Sequence, residues 1–245
     1  MMKNNRGFTL PEVLVAMAVG MVILTAIYAA VISGQRASGS IQRKVTTFQD
    51  ARAALELMAA EIQMASYNSL GTKIWRDASI CTSLSAQQGN RGIQVAGPNS
   101  ITIEMDINGL GNLMDHADNI ITYKYYGEPN YSITRKSNTL TPPPPTCGTE
   151  QTFLGGPLAD GSITTRVMND INMNGSFDGG DIPVFRYFNG SGTDITGSLP
   201  GSIPDIARIE ITLVVETQDS EPGTNQRRRM IYSTSVIPRN HVLSQ

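Results

Sequence analysis

Histidine and cysteine are scarce in this chain, with two of each among 245 residues. A structural zinc centre draws four ligands, and His116 and His241 lie too far apart in sequence to complete a framework with Cys81 and Cys147. Charge is thin as well: 16% of residues are charged and the net charge is −2. That argues against a nucleic-acid partner, because binding DNA or RNA calls for a broad basic face. The basic cluster Arg227 to Arg229 reads as a solvated strand end. Catalytic signatures are missing too. There is no GxSxG, HExxH or phosphate-loop pattern, and GLGNLM from Gly109 lacks the last glycine of a dinucleotide-binding turn. His116 sits between acids and reads as a loop residue, not a general base. The expectation is a protein that is not an enzyme.

What is present begins at the amino terminus. From Val13 to Ile32 there is no charged residue, and such a run as a helix spans about 30 Å, enough to cross a bilayer. Lys3 and Arg6 precede it and Arg36 follows it, which keeps the short leader cytoplasmic and exports the rest. An ordinary secretory signal has its small-residue cleavage site after the apolar core. Here Gly7 comes before it, so a cut after Gly7 would leave the whole apolar helix on a chain that starts at Phe8. Glu12 then has a partner. A lone acid at the edge of hydrocarbon costs about 2.5 to 3.5 kcal/mol, and the new Phe8 ammonium, four residues away on the same helix face or on a neighbouring subunit, would offset that cost and set axial register. Pro11 fits the first turn, where its missing N–H has no partner to lose.

The stretch GFTLPEVLVAM, Gly7 to Met17, resembles the class III signal of type IV pilins and type II secretion pseudopilins. The resemblance implies cleavage after Gly7 by a prepilin peptidase, N-methylation of Phe8, and pairing of Glu12 with the amine of an adjacent subunit. It also implies other pilins and an inner-membrane assembly platform as partners.

Past the membrane segment, Ile41, Val45, Phe48, Ala51, Leu55, Met58, Ile62 and Ala65 recur at spacings of three and four, the pattern of an amphipathic helix. Arg52, Glu56, Glu61 and Gln63 fall off this stripe and are expected to meet solvent or other subunits. One helix from about residue 8 to 67 is expected, weakened locally at Gly20, Gly34 and Gly39. Tyr67 and Trp75 are expected to pack rather than to stack on a ligand. After Leu70 short β-rich runs take over. Strands are expected at Gly92–Val95, Ser100–Asp106, Ile120–Tyr126, Tyr131–Lys136, Val184–Phe188, Ala207–Thr217 and Arg229–Ile237, the last two as a long antiparallel hairpin. The fold class is therefore α+β, a long N-terminal helix packed on an antiparallel β-rich globular head. Its segments are a leader 1–7, a transmembrane and assembly helix 8–35, an amphipathic half 36–70 and a head 71–245. Cys81 and Cys147, in an exported region, would form one disulfide, worth roughly 4 kcal/mol by loop entropy. The four prolines from Pro142 would stiffen the chain beside Cys147.

Two acidic loops complete the reading. Asp170, Asn172, Asn174, Ser176, Asp178 and Asp181 follow the ligand spacing of a calcium loop, with Gly175 at its sharp turn and Asp181 where an EF-hand has glutamate. DINGLGNLMDHADNIITYKYY from Asp106 echoes DINMNGSFDGGDIPVFRYF from Asp170. In the first copy Leu110 and Asn112 furnish the middle poorly, and Asp106, Asn108, Asp115 and Asp118 read as turn caps. The helix ending ARAALELMAAEIQMASYN, the DINGLG and ITYKY elements and the closing STSVIPRN are similar to PilW-type minor pilins, and more distantly to GspJ-type pseudopilins. That resemblance implies a pilin-like fold and a role in initiating pilus assembly or forming the tip. A secretion pseudopilin and a calcium-dependent adhesin anchored by its helix are the alternatives.

Overall fold

The computed structural model describes residues 8–77, 87–139, 146–157, 165–175, 177–217 and 227–242. The chain divides into two compact units, Met1–Val45 and Thr46–Gln245. Helix α1, Leu10–Gln63, runs through Gly20, Gly34 and Gly39 without interruption. Its glycines cost helix stability only in small increments, spread over 54 residues.

In the second unit α1 buries a stripe consisting of Ala51, Ala54, Leu55, Met58, Ile62 and the following Ala65. These are the positions that a period of 3.6 brings to one face. Glu61 departs from the expectation: it is buried, only 8% exposed. Arg135 reaches it with Nη2 at 2.8 Å and Nε at 3.3 Å, and the Tyr123 hydroxyl donates to it as well. The pair makes burial of the acid tolerable, which period alone could not reveal. Arg135 also contacts Asp118 at 2.8 Å. Burial works against the charged guanidinium, but the Glu61 and Asp118 bonds outweigh it and push its pKa up.

The stripe covers two antiparallel sheets. The first contains β1 (Ile93–Ala96), β2 (Ser100–Glu104), β3 (Ile120–Tyr126), β4 (Ser132–Thr139), β5 (Thr146–Cys147) and β6 (Gln151–Gly155), in the order β1-β2-β3-β4-β5, with β6 also beside β4. The second contains β7 (Thr165–Val167), β8 (Phe185–Phe188), β9 (Arg208–Thr217) and β10 (Arg229–Val236), with β9 pairing all three others. The alternation that predicts strands also sets their faces. Ile101 and Ile103 of β2, Ile121 and Tyr123 of β3, and Ile209, Ile211, Leu213 and Val215 of β9 are buried in one core with the helix stripe. Thr102 and Thr122 pair across β2 and β3 at 2.9 Å between their hydroxyls. On the opposite side of β9, Val214 packs with Tyr131 and Met168. The β9–β10 hairpin has the expected antiparallel register, from Arg229 opposite Glu216 to Val236 opposite Ile209. A short helix α2, Arg239–Val242, follows it.

After α1 the chain turns at Ser66, whose φ of 66° is left-handed, as is common just past a helix C-terminus. Its N–H donates to the Glu104 carbonyl at 2.9 Å, and the Gly92 N–H donates to its Oγ at 3.0 Å. A Cβ on Gly92 would lie 2.3 Å from both the Glu104 oxygen and the Ser66 nitrogen, so only glycine fits. His241 of α2 is buried here. Its Nε2 lies 2.9 Å from the Ile203 carbonyl and its Nδ1 2.8 Å from Ser66 Oγ. A carbonyl only accepts, so Nε2 carries the proton and Nδ1 accepts from the serine hydroxyl. Burial first, and Arg91 nearby, lower the His241 pKa to about 4, against the raising effect of the Ile203 bond.

Candidate functional site

In the first unit, the start of α1 is built by Thr9, Pro11 and Glu12. Thr9 donates its N–H and its hydroxyl to Glu12 Oε2, both at 2.9 Å, while the Thr9 carbonyl accepts the Val13 N–H. This is one half of a capping box: the glutamate reaches back to the N–H of a threonine three residues earlier, while the threonine hydroxyl donates to the same carboxylate. The TLPE spelling carries that signal, a role for Glu12 beside its expected pairing with Phe8. One carboxylate oxygen is thus spent on the helix's own first turn, and Oε1 accepts nothing among the described residues. Phe8 is 89% exposed, and Gly7 lies outside the described residues.

Along this helix the apolar side chains stay on the surface: Leu14, Val15, Met21, Val22, Leu24 and Tyr28 are each 60% exposed or more. It is a helix long and apolar enough, by length and composition, to cross a membrane. A contiguous apolar surface of this size needs lipid or other helices to cover it.

In the second unit the two acidic loops have the same backbone. Asp106 Oδ2 accepts the Gly111 N–H at 2.9 Å, and Asp170 Oδ2 accepts the Gly175 N–H at 2.9 Å. Asn108 Oδ1 accepts from Leu110 at 3.2 Å, and Asn172 Oδ1 accepts from Asn174 at 3.1 Å. The fourth and sixth positions are left-handed in both: Gly109 and Gly111 at 71° and 75°, Met173 and Gly175 at 56° and 75°. The N–H of the second residue is taken by the closing side chain, Asn119 for Ile107 at 3.0 Å and Asp181 for Ile171 at 2.8 Å. The echo in the sequence is therefore an echo in conformation.

Around Asp170 the remaining groups are drawn inward. Asp181 Oδ2 accepts the Asp178 N–H at 2.8 Å, and the amides of Asn172 and Asn174 both donate to Asp178. The Gly180 N–H, then Asn174 and Asn172, hold the Asp178 carboxyl below its ordinary pKa. Ser176 lies outside the described residues. No group of three histidine, cysteine or acidic side chains suited to a metal gathers among the described residues.

Other sequence expectations divide. Trp75 packs with Ile74, Leu113, Met114 and Ile120, as expected of a core residue. Tyr67 lies outside the core, 42% exposed. His116 accepts the Asp118 N–H at 3.2 Å within its turn. Half-buried Cys147 stands at the end of β5 against the Trp75 cluster; Cys81 and the proline run lie outside the described residues. The Ser66–His241 pair has no sequence signal of its own, since its members are 175 residues apart.

Residues 2–28 match the family model of the prokaryotic N-terminal methylation motif. This match supports a type IV pilin-like prepilin, a protein of the pilin or pseudopilin class. That motif marks structural proteins that assemble with other pilins after processing by a prepilin peptidase. The apolar helix fits an inner-membrane anchor. No curated protein and no solved structure matches the chain.

Proposed function

We propose that this protein is a minor pilin of a type IV pilus, of PilW type, which initiates assembly or forms the pilus tip. The observation that carries the reading is the methylation motif over residues 2–28 on a helix with an exposed apolar surface. Cleavage after Gly7 leaves Phe8 as the new terminus, to be methylated. Glu12, with Oε2 engaged by Thr9, offers Oε1 to the Phe8 ammonium of an adjacent subunit. The head then lies in the periplasm, and the helix exchanges lipid for the helices of other pilins when an inner-membrane platform extracts it. Cys81 and Cys147 form a disulfide in that oxidising space.

Deleting the gene tests the assignment. Loss of surface pili with protein secretion intact supports a pilus subunit, whereas lost secretion with intact pili assigns the chain to a secretion pseudopilus. Localisation and activity unaffected by Glu12→Ala would leave an anchored adhesin instead.

Calcium at the loop from Asp170 to Asp181 is the second part of the proposal. Supporting it is the closed loop in which Asp170 accepts the Asn174 and Gly175 N–H groups, Asp181 accepts those of Ile171 and Asp178, and the Asn172 and Asn174 side-chain amides meet at Asp178. Calorimetric titration should register calcium binding that Asp178→Asn weakens; equal binding by both proteins would contradict it.

A further inference from the structure

Asp106 is fully buried. Gly111 satisfies its Oδ2 at 2.9 Å, but its Oδ1 is sealed from solvent and meets no donor among the described residues. A carboxylate removed from water without a facing cation or a full set of donors costs several kcal/mol. Arg135 serves Glu61 and Asp118, each at 2.8 Å. The equivalent oxygen in the other loop, Asp170 Oδ1, does have a donor, the Asn174 N–H at 3.3 Å.

Further oxygens are gathered by Asn119, also fully buried. Its Nδ2 donates to the Asn112 carbonyl at 3.2 Å and to Asp115 Oδ1 at 3.1 Å, and its Oδ1 accepts the N–H of Ile107, the residue after Asp106. One side chain thus ties the backbone beside Asp106 to a second carboxylate and a carbonyl. We propose that the loop from Asp106 to Asn119 is a binding site for a hard divalent cation, calcium by its all-oxygen chemistry, with Asp106 as the anchoring ligand and Asp115 as the second carboxylate. No group of three histidine, cysteine or acidic side chains gathers among the described residues, so the remaining ligands would be neutral oxygens. The site stands independently of the pilin assignment and of calcium at Asp170.

Trp75, the chain's only tryptophan, packs on Leu113 and Met114 of this loop, so it can sensitise terbium bound there. The test is terbium luminescence of the full mature protein in detergent, excited on the red edge of tryptophan absorption, where tyrosine contributes little. The expected result is sensitised emission that calcium displaces, with affinity about tenfold or more weaker in Asp106→Asn and unchanged in Asp170→Asn. Should Asp106→Asn fail to fold, Asp115→Asn, at a half-buried position, must show the same loss. Absence of sensitised emission, or emission that survives these substitutions, overturns the proposal. Calorimetric calcium binding lost only with Asp178→Asn would overturn it as well, while leaving the Asp170 reading intact.

Discussion

His241 makes the head acid-sensitive at a single residue. The folded state holds it neutral with a pKa of about 4, against an ordinary value of 6.5. Between those two values the unfolded chain takes up a proton that the folded chain declines, so stability falls as pH drops through this window and this contribution is flat above it. The full effect is on the order of 3 kcal/mol. Urea denaturation across that range should show a decline that His241→Gln flattens, since glutamine can still bridge Ser66 and Ile203. An unchanged slope would contradict the assignment. Glu61 gives a second residue-scale prediction. Removing it by Glu61→Ala leaves the half-buried Arg135 and the fully buried Tyr123 hydroxyl each with one partner fewer and should cost about 3 kcal/mol in the same assay; a loss no greater than at exposed Glu56 would refute the buried pairing. Neither residue was legible in the sequence. Glu61 looks like an exposed helix acid until Arg135 arrives from β4, and His241 becomes a core residue only because α2 folds back on the end of α1.

At the scale of elements, periodicity was the most readable signal. The helix stripe and the alternation in β2, β3 and β9 are local consequences of burying one face, so the chain spells them out. Strands β5, β6 and β7 are short, with few buried side chains, and no periodic signal announced them. The paired loops were legible as an echo because their turns demand particular residues: aspartate first, asparagine third, glycine sixth. What spacing could not tell was which carboxylate oxygens keep a donor. Gly111→Ala probes this geometry directly. Its φ of 75° is left-handed, and a Cβ there would come within 2.7 Å of Leu70 Cδ1. The substitution should destabilise the head by about 1 to 2 kcal/mol by denaturant titration, whereas Gly179→Ala, which meets nothing within 4 Å, should cost less.

For the whole molecule, the motif at the start decides the class, and the head supplies the means of distinguishing members. The class was legible because processing and helix insertion both act on contiguous sequence, so GFTLPE and the apolar run after it carry their meaning without the fold. Glu12 serves the first turn through one oxygen and the proposed neighbour through the other. Glu12→Gln keeps an acceptor for Thr9 but removes the charge. Filament incorporation, followed by immunoblot of sheared pili, should therefore collapse for Glu12→Gln while the protein remains in the membrane; normal incorporation would show that capping alone is what this residue does.

The most direct measurement is the mass of the amino-terminal peptide of the protein purified from its native membrane. The account predicts a chain beginning at N-methyl-Phe8. A chain that begins at Met1, or beyond Ile32, would contradict prepilin processing and with it the assembly role of Glu12.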